Sequence, residues 1–188
     1  MIGDIHFRNA VHSTLRREGG FVDDVADPGG ATNWGISLRY LRRLHDLGEF
    51  DGDMDGDLDI DAEDIRQMTR EQAIQIYYEQ IWTPNRYGEI WPALAAKTFD
   101  LAVNMGSRAG NRLLQRALRA GGQRVDVDGR IGPQTIGAVR WTVELETDGH
   151  VLGALRAEAA GRYLRIIEAN PSLRRFERGW MRRAYDED

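Results

Sequence analysis

The stretch Glu18-Gly19-Gly20-Phe21-Val22-Asp23-Asp24-Val25-Ala26-Asp27-Pro28-Gly29-Gly30-Ala31-Thr32-Asn33-Trp34-Gly35-Ile36 decides how this chain is read. Upstream, Phe7, Ala10, Val11, Thr14 and Leu15 recur at three- and four-residue spacing, an amphipathic helix over Asp4 to Arg17 that Gly19-Gly20 stops. Glu18 therefore stands at a helix C-terminus, where the negative end of the macrodipole and cover from Leu15, Phe21 and Val22 would both disfavour its charged form. The Asp/Gly/Thr-rich turn that follows offers carboxylates in polar surroundings, where they stay ionised. A protonated and an ionised carboxyl group facing one another are what glycoside hydrolysis uses. Spacing alone does not choose among Asp23, Asp24 and Asp27 as the second group.

Working outward, Ile36 to Leu44 resumes a helical pattern that Gly48 ends, and a small hairpin is expected within 21–36. Thr69 with Gln72 reads as a capping box for a helix whose buried stripe is Ala73, Ile74, Tyr77, Tyr78, Ile81 and Trp82, blocked by Pro84. Helical patterns then run to about Met105, from Ser107 to Ala120, from Pro133 to Trp141, from about His150 to Ala169 and from Pro171 to Ala184. The fold class is mainly α, in two lobes with a cleft. The helices are interrupted near residues 84 to 97, which suggests an N-terminal region of 1–95 and a C-terminal helical region of 96–188.

The 188 residues suffice for a sizeable core without staples. Cysteine is absent, which removes disulfides, thiol catalysis and Cys-ligated metal. His6 and His12 do not share a helix face at ligand spacing, so no zinc site is expected. No apolar run spans a bilayer, and Met1 to Arg17 is too polar for a signal-peptide core. The net charge is −5, yet residues 51–64 hold seven Asp and one Glu with no base, leaving +3 on the remainder. Arg112, Arg116 and Arg119 form a basic stripe and the last helix is strongly cationic, ordinarily solvated faces; attraction to anionic envelope polymers is the sharper reading. No nucleic-acid motif accompanies the arginines, so nucleic acid is not an expected partner, and a monomer is expected.

At the opening motif the chain resembles glycoside hydrolase family 108, the N-acetylmuramidases marked by an Glu-Gly-Gly-aromatic motif and a following Asp-Pro-Gly-Gly-x-Thr-x-x-Gly-Ile segment. The resemblance implies a lysozyme-like fold, cleavage of the β-1,4 bond between N-acetylmuramic acid and N-acetylglucosamine, and Glu18 as the essential general acid. The order Glu, Asp nine residues on, then Thr before Gly-Ile also looks like phage-type lysozymes, in which the Asp and Thr position water; that implies Asp27 and Thr32 here, with Asp24 the alternative to Asp27. Trp34, inside the motif, and Asn104, in Asn104-Met105-Gly106, are the candidate sugar-binding residues. That second motif, Val127 to Thr135 and Phe176 to Trp180 are similar to the peptidoglycan-binding region that accompanies the family. The resemblance, with the lack of a signal-peptide core, implies synthesis in the cytoplasm without a signal peptide and access to the wall, in the periplasm or outside, through a holin or a dedicated route. The rival readings are a lytic transglycosylase and a non-catalytic, calcium-responsive wall-binding module.

The acidic run is the remaining feature. Asp53, Asp55, Asp57, Asp59, Ile60, Asp61 and Asp64 occupy positions 1, 3, 5, 7, 8, 9 and 12 of a twelve-residue EF-hand-like loop, a set of hard oxygen donors for Ca²⁺. Asp53, Asp55, Asp57, Asp59 and Asp64 are the candidate ligands. Leu58 then falls where Gly usually makes a left-handed bend; starting at Asp51 puts Gly56 there but Ala62 at position 12. The bound ion is expected to order the loop ahead of the next helix, not to take part in chemistry.

Overall fold

The sequence's Asp4 begins the first helix by capping it. In the structure, a computed structural model that describes residues 3–23 and 30–186, Asp4 Oδ1 accepts hydrogen bonds from the amides of His6 and Phe7 at 2.9 and 3.0 Å. Helix α1 (Ile5–Glu18) buries Phe7, Ala10, Val11, Thr14 and Leu15, the stripe its periodicity predicts. Gly19, at φ 78, ends it. The other oxygen of Asp4 accepts the Trp82 indole N–H at 2.9 Å.

Strands β1 (Thr32–Asn33) and β2 (Ile36–Ser37) form an antiparallel hairpin in the register Thr32 to Ser37 and Asn33 to Ile36. Its two-residue turn, Trp34-Gly35, has positive φ at both positions (52 and 79), the backbone that matches the twist of a tight hairpin. The expected helix from Ile36 starts later: Ile36 and Ser37 pair as strand, and the Ser37 hydroxyl caps α2 (Leu38–Asp46) by accepting from Tyr40 N. Helices α3 (Ala62–Gln67) and α4 (Arg70–Tyr77) follow, the latter opened by the Thr69/Gln72 capping box. The chain continues from α4 as a π-helical turn, Tyr78–Trp82, before Pro84. Ile76 is buried, whereas Ile74 and Tyr78 of the expected stripe are half-buried.

Two compact units divide the chain, Met1–Pro84 and Asn85–Asp188, where the sequence suggests 1–95 and 96–188. The second holds a 3₁₀ turn (Tyr87–Glu89), α5 (Pro92–Met105), α6 (Ser107–Ala120), α7 (Pro133–Glu144) and α8 (Asp148–Ala169). The expected helix from Pro171 is a 3₁₀ turn (Pro171–Phe176) followed by α9 (Glu177–Tyr185). Helix α6 packs on α5 and α8, and α9 on α8. Gly110 allows the α5–α6 approach: a Cβ there would meet Ala102 N at 2.9 Å and Thr98 O at 3.1 Å.

The last helix is not simply a solvated cationic face. Arg183 is 11 % exposed and forks onto Asp100 of α5, with Nε–Oδ2 at 3.1 Å and Nη2–Oδ1 at 3.0 Å. Lys97, the chain's only lysine, is buried and donates to the Arg183 carbonyl and to Asp186 Oδ1. Burying these charges works because each is paired, and the pairs hold α9 against α5.

Candidate active site

Glu18 is half-buried at the last position of α1, where Gly19 turns the chain away. Its aliphatic stem lies against the hairpin tip: a Cβ built on Gly35 would sit 2.8 Å from Glu18 Cγ and 3.1 Å from Cβ. The same position would be 2.5 Å from the Tyr77 hydroxyl, which donates to the Trp34 carbonyl at 2.8 Å. A helix end, a hairpin turn and a tyrosine of α4 thus meet at the stem of Glu18. Any side chain at residue 35 would push into that junction, which is the physical reason for glycine there.

The hairpin is itself tied down. The buried Asn33 donates through Nδ2 to the carbonyls of Ile65 and Met68 at 3.0 and 3.4 Å, and the Trp34 indole donates to Met68 O at 3.1 Å. Neither the Asn33 anchor nor the roles of Gly35 and Tyr77 follow from sequence spacing. The signal nearest to them is the Trp-Gly pair inside the motif. Phe21 is half-buried with the Arg66 guanidinium 4.2 Å above its ring, a contact that needs the ring and no hydroxyl. Val22, which the sequence offers as cover for Glu18, is 59 % exposed, and its backbone bridges to Thr32 as an added strand residue.

Thr32 lies in β1, half-buried, with its backbone paired to Val22 and its hydroxyl 3.4 Å from the Gly30 carbonyl. Asp24 and Asp27 lie outside the described residues. Trp34 is half-buried at the hairpin tip, close to Glu18 through its neighbour Gly35. Asn104 belongs to the second unit, near the end of α5, where its Oδ1 accepts the Tyr163 hydroxyl at 2.8 Å.

Also in the second unit, the Asp128-Gly129 turn is held by α6. The buried Gln115 accepts from Gly129 N (2.8 Å) and donates to Asp128 Oδ1 (2.8 Å) and Arg130 O (3.0 Å). The buried Asn111 donates to Gly129 O at 3.0 Å and accepts the Tyr87 hydroxyl at 2.6 Å. Burial pushes the Tyr87 phenol far above its usual range, so it stays a donor. Hydrogen bonds from Arg130 N and Gln115 hold the Asp128 carboxyl below the usual aspartate range. Pro133 opens α7, as the sequence predicts.

In the acidic loop, Asp53, Asp55 and Asp57 each bring a carboxylate oxygen within 4.8 Å of the others, and Asp59, Asp61 and Asp64 do the same as a second group. Leu58 takes a left-handed bend without glycine, at φ 75, and is 92 % exposed. Ile60 lies beside Leu41, each 3.2 Å from where a Cβ on Gly52 would sit. The buried Asp64 accepts from Met54 N (2.6 Å) and Asp61 N (2.7 Å), closing a reciprocal cap with Asp61 at the start of α3. The charge of Asp57, then desolvation, then Asp61 and Asp64 hold Asp59 above the usual aspartate range, against the lowering effect of Arg42.

Among known proteins, no curated sequence matches this chain. Twelve chains of solved structures do. One of them, described as the structure of Brucella abortus SagA, is 25 % identical, with a TM-score of 0.73 over 96 % of this chain and 90 % of that one. Residues 109–185 match a family described as a predicted peptidoglycan domain. Residues 11–106, which carry Glu18 and the whole hairpin, match glycosyl hydrolase 108. The chain belongs to the glycosyl hydrolase 108 family and is a glycoside hydrolase acting on peptidoglycan.

Proposed function

We propose that the chain is an N-acetylmuramidase, hydrolysing the β-1,4 bond between N-acetylmuramic acid and N-acetylglucosamine with Glu18 as general acid. The observation that carries this reading is the seat of Glu18, a half-buried residue whose stem lies against Gly35 of the hairpin tip. A general acid needs a defined position beside the leaving oxygen before its protonation state matters. In this mechanism Glu18 protonates the glycosidic oxygen, while Asp27 and Thr32 orient water on the opposite face of the oxocarbenium-like transition state. Trp34 supplies an aromatic face for a sugar ring and Asn104 a polar contact to the glycan. The enzyme acts on the wall, in the periplasm or outside the cell, after release through a holin-type or dedicated route.

Mass analysis of muropeptides released from purified sacculi tests the reaction. Hydrolysis leaves a reducing muramic acid end. A product lighter by one water, the 1,6-anhydro end of a lytic transglycosylase, would replace hydrolysis by that chemistry.

The acidic loop is proposed as a Ca²⁺ site using Asp53, Asp55, Asp57, Asp59 and Asp64. Hard carboxylates at alternate positions suit that ion, and the left-handed backbone at both Gly56 (φ 80) and Leu58 (φ 75) gives the loop the bend that either register calls for. When bound, Ca²⁺ would supply charge neutralisation and order to the segment before α3. Titration calorimetry with Ca²⁺ should give saturable heat at a one-to-one ratio; no heat would end this assignment.

A further inference from the structure

A pocket of about 450 Å³ in the second unit is lined by Arg108, Arg112, Arg116 and Arg162, together with Ser107 at the start of α6, and by no carboxylate. The first three are four residues apart on α6 and share one face, a spacing at which like charges repel. A solvated stripe would keep its guanidinium groups in water. Instead, the Nε atoms of Arg112 and Arg162 are buried and have no hydrogen-bond partner.

Other features mark a formed site. Gly129, at φ 84, lies tight against the stems of Arg108 and Arg112: a Cβ there would meet their Cγ atoms at 2.7 and 3.3 Å. Gln115 and Asn111 hold that turn from α6. The Asp-Gly motif therefore braces two of the arginines. Arg116 has an acid nearby, Glu158 at 3.7 Å. Arg119, which the sequence places in the stripe, is engaged elsewhere, donating through Nε to Val125 O at 2.7 Å. The amides of the first turn of α6 add positive potential at the same end of the pocket.

We propose that this arginine pocket binds an oxyanion carried on the wall polymer, either a carboxylate of the peptide stem or a phosphodiester of an attached polymer. Guanidinium groups take both by a planar two-point fork, and four of them line this pocket. The pocket then retains the enzyme on its substrate and does not act on the bond that is cut. The proposal rests on peptidoglycan being the substrate.

The test uses the full chain, its Arg112→Gln/Arg162→Gln variant and, because Arg108 is exposed, Arg108→Gln as a milder change. Each is pelleted with sacculi in rising NaCl. On native sacculi the double variant should bind about tenfold more weakly and Arg108→Gln a few-fold more weakly, with wild-type binding lost as salt rises. Melting temperatures should not fall, since the buried Nε atoms have no partner to lose. Sacculi with amidated stem carboxylates, or with phosphodiester polymers stripped, identify the source by abolishing the difference between wild type and variant. Equal pelleting of all three proteins on native sacculi, or a difference that survives both treatments, overturns the proposal. Release of reducing ends from sacculi by the wild type keeps the two readings separate: its absence would count against the hydrolase reading while leaving the pelleting result intact.

Discussion

Gly35 carries as much of the proposed chemistry as any residue with a functional group. A methyl group there would intrude on the Tyr77 hydroxyl at 2.5 Å and on Glu18 Cγ at 2.8 Å, on a backbone with φ 79. Gly35→Ala should therefore destabilise the protein by about 2 kcal/mol in chemical denaturation. It should also lower kcat more than it raises KM, because it displaces the acid more than the sugar. The opposite case is Leu58, an exposed side chain on a left-handed backbone. Leu58→Gly should stabilise the fold by about 1 kcal/mol, measured as a higher denaturation midpoint. The place of Glu18 at a helix end was legible because Gly19 and Gly20 announce the stop. Gly35 and Tyr77 were not, because the Tyr77–Trp34 bond spans 43 residues and nothing local announces it.

At the level of elements, the helices were mostly legible and the small irregular pieces were not. The apolar stripe of α1 and the Thr69/Gln72 box rest on local periodicity and local hydrogen bonds, which sequence shows directly. Ile36 and Ser37 misled because two strand residues are too short to impose a period, and the register is set by the Trp34-Gly35 turn. The basic last helix misled because composition cannot show that Asp100 and Lys97 of α5 lie beside Arg183 and Asp186. The Asp128 turn gives this scale its prediction. Its carboxyl is held below the usual aspartate range by Arg130 N and Gln115, so in acid the unfolded chain binds a proton that the folded chain does not. Its stabilising contribution is complete above about pH 4 and disappears as pH falls through the lowered folded value. Thermal melts should accordingly show Asp128→Asn losing less stability than wild type on acidification through that window, with the two curves converging below it.

Across the whole molecule, charge is partitioned: residues 51–64 carry the acidity of a chain that is otherwise slightly basic. Composition made that legible, along with the absence of any helix long and apolar enough to cross a membrane among the described residues. A cation on the acidic loop would stabilise the entire fold by linkage, by about 2.7 kcal/mol when free Ca²⁺ is a hundredfold above its Kd. The melting temperature should rise with Ca²⁺ and fall with EDTA, and the EDTA effect should vanish in Asp53→Asn/Asp55→Asn. The central claim concerns Glu18, and it is tested most directly by the rate at which wild type and Glu18→Gln release new reducing ends from purified sacculi at matched melting temperature. The account predicts a loss of about 10³-fold in Glu18→Gln with binding to sacculi retained; release at the wild-type rate would contradict it.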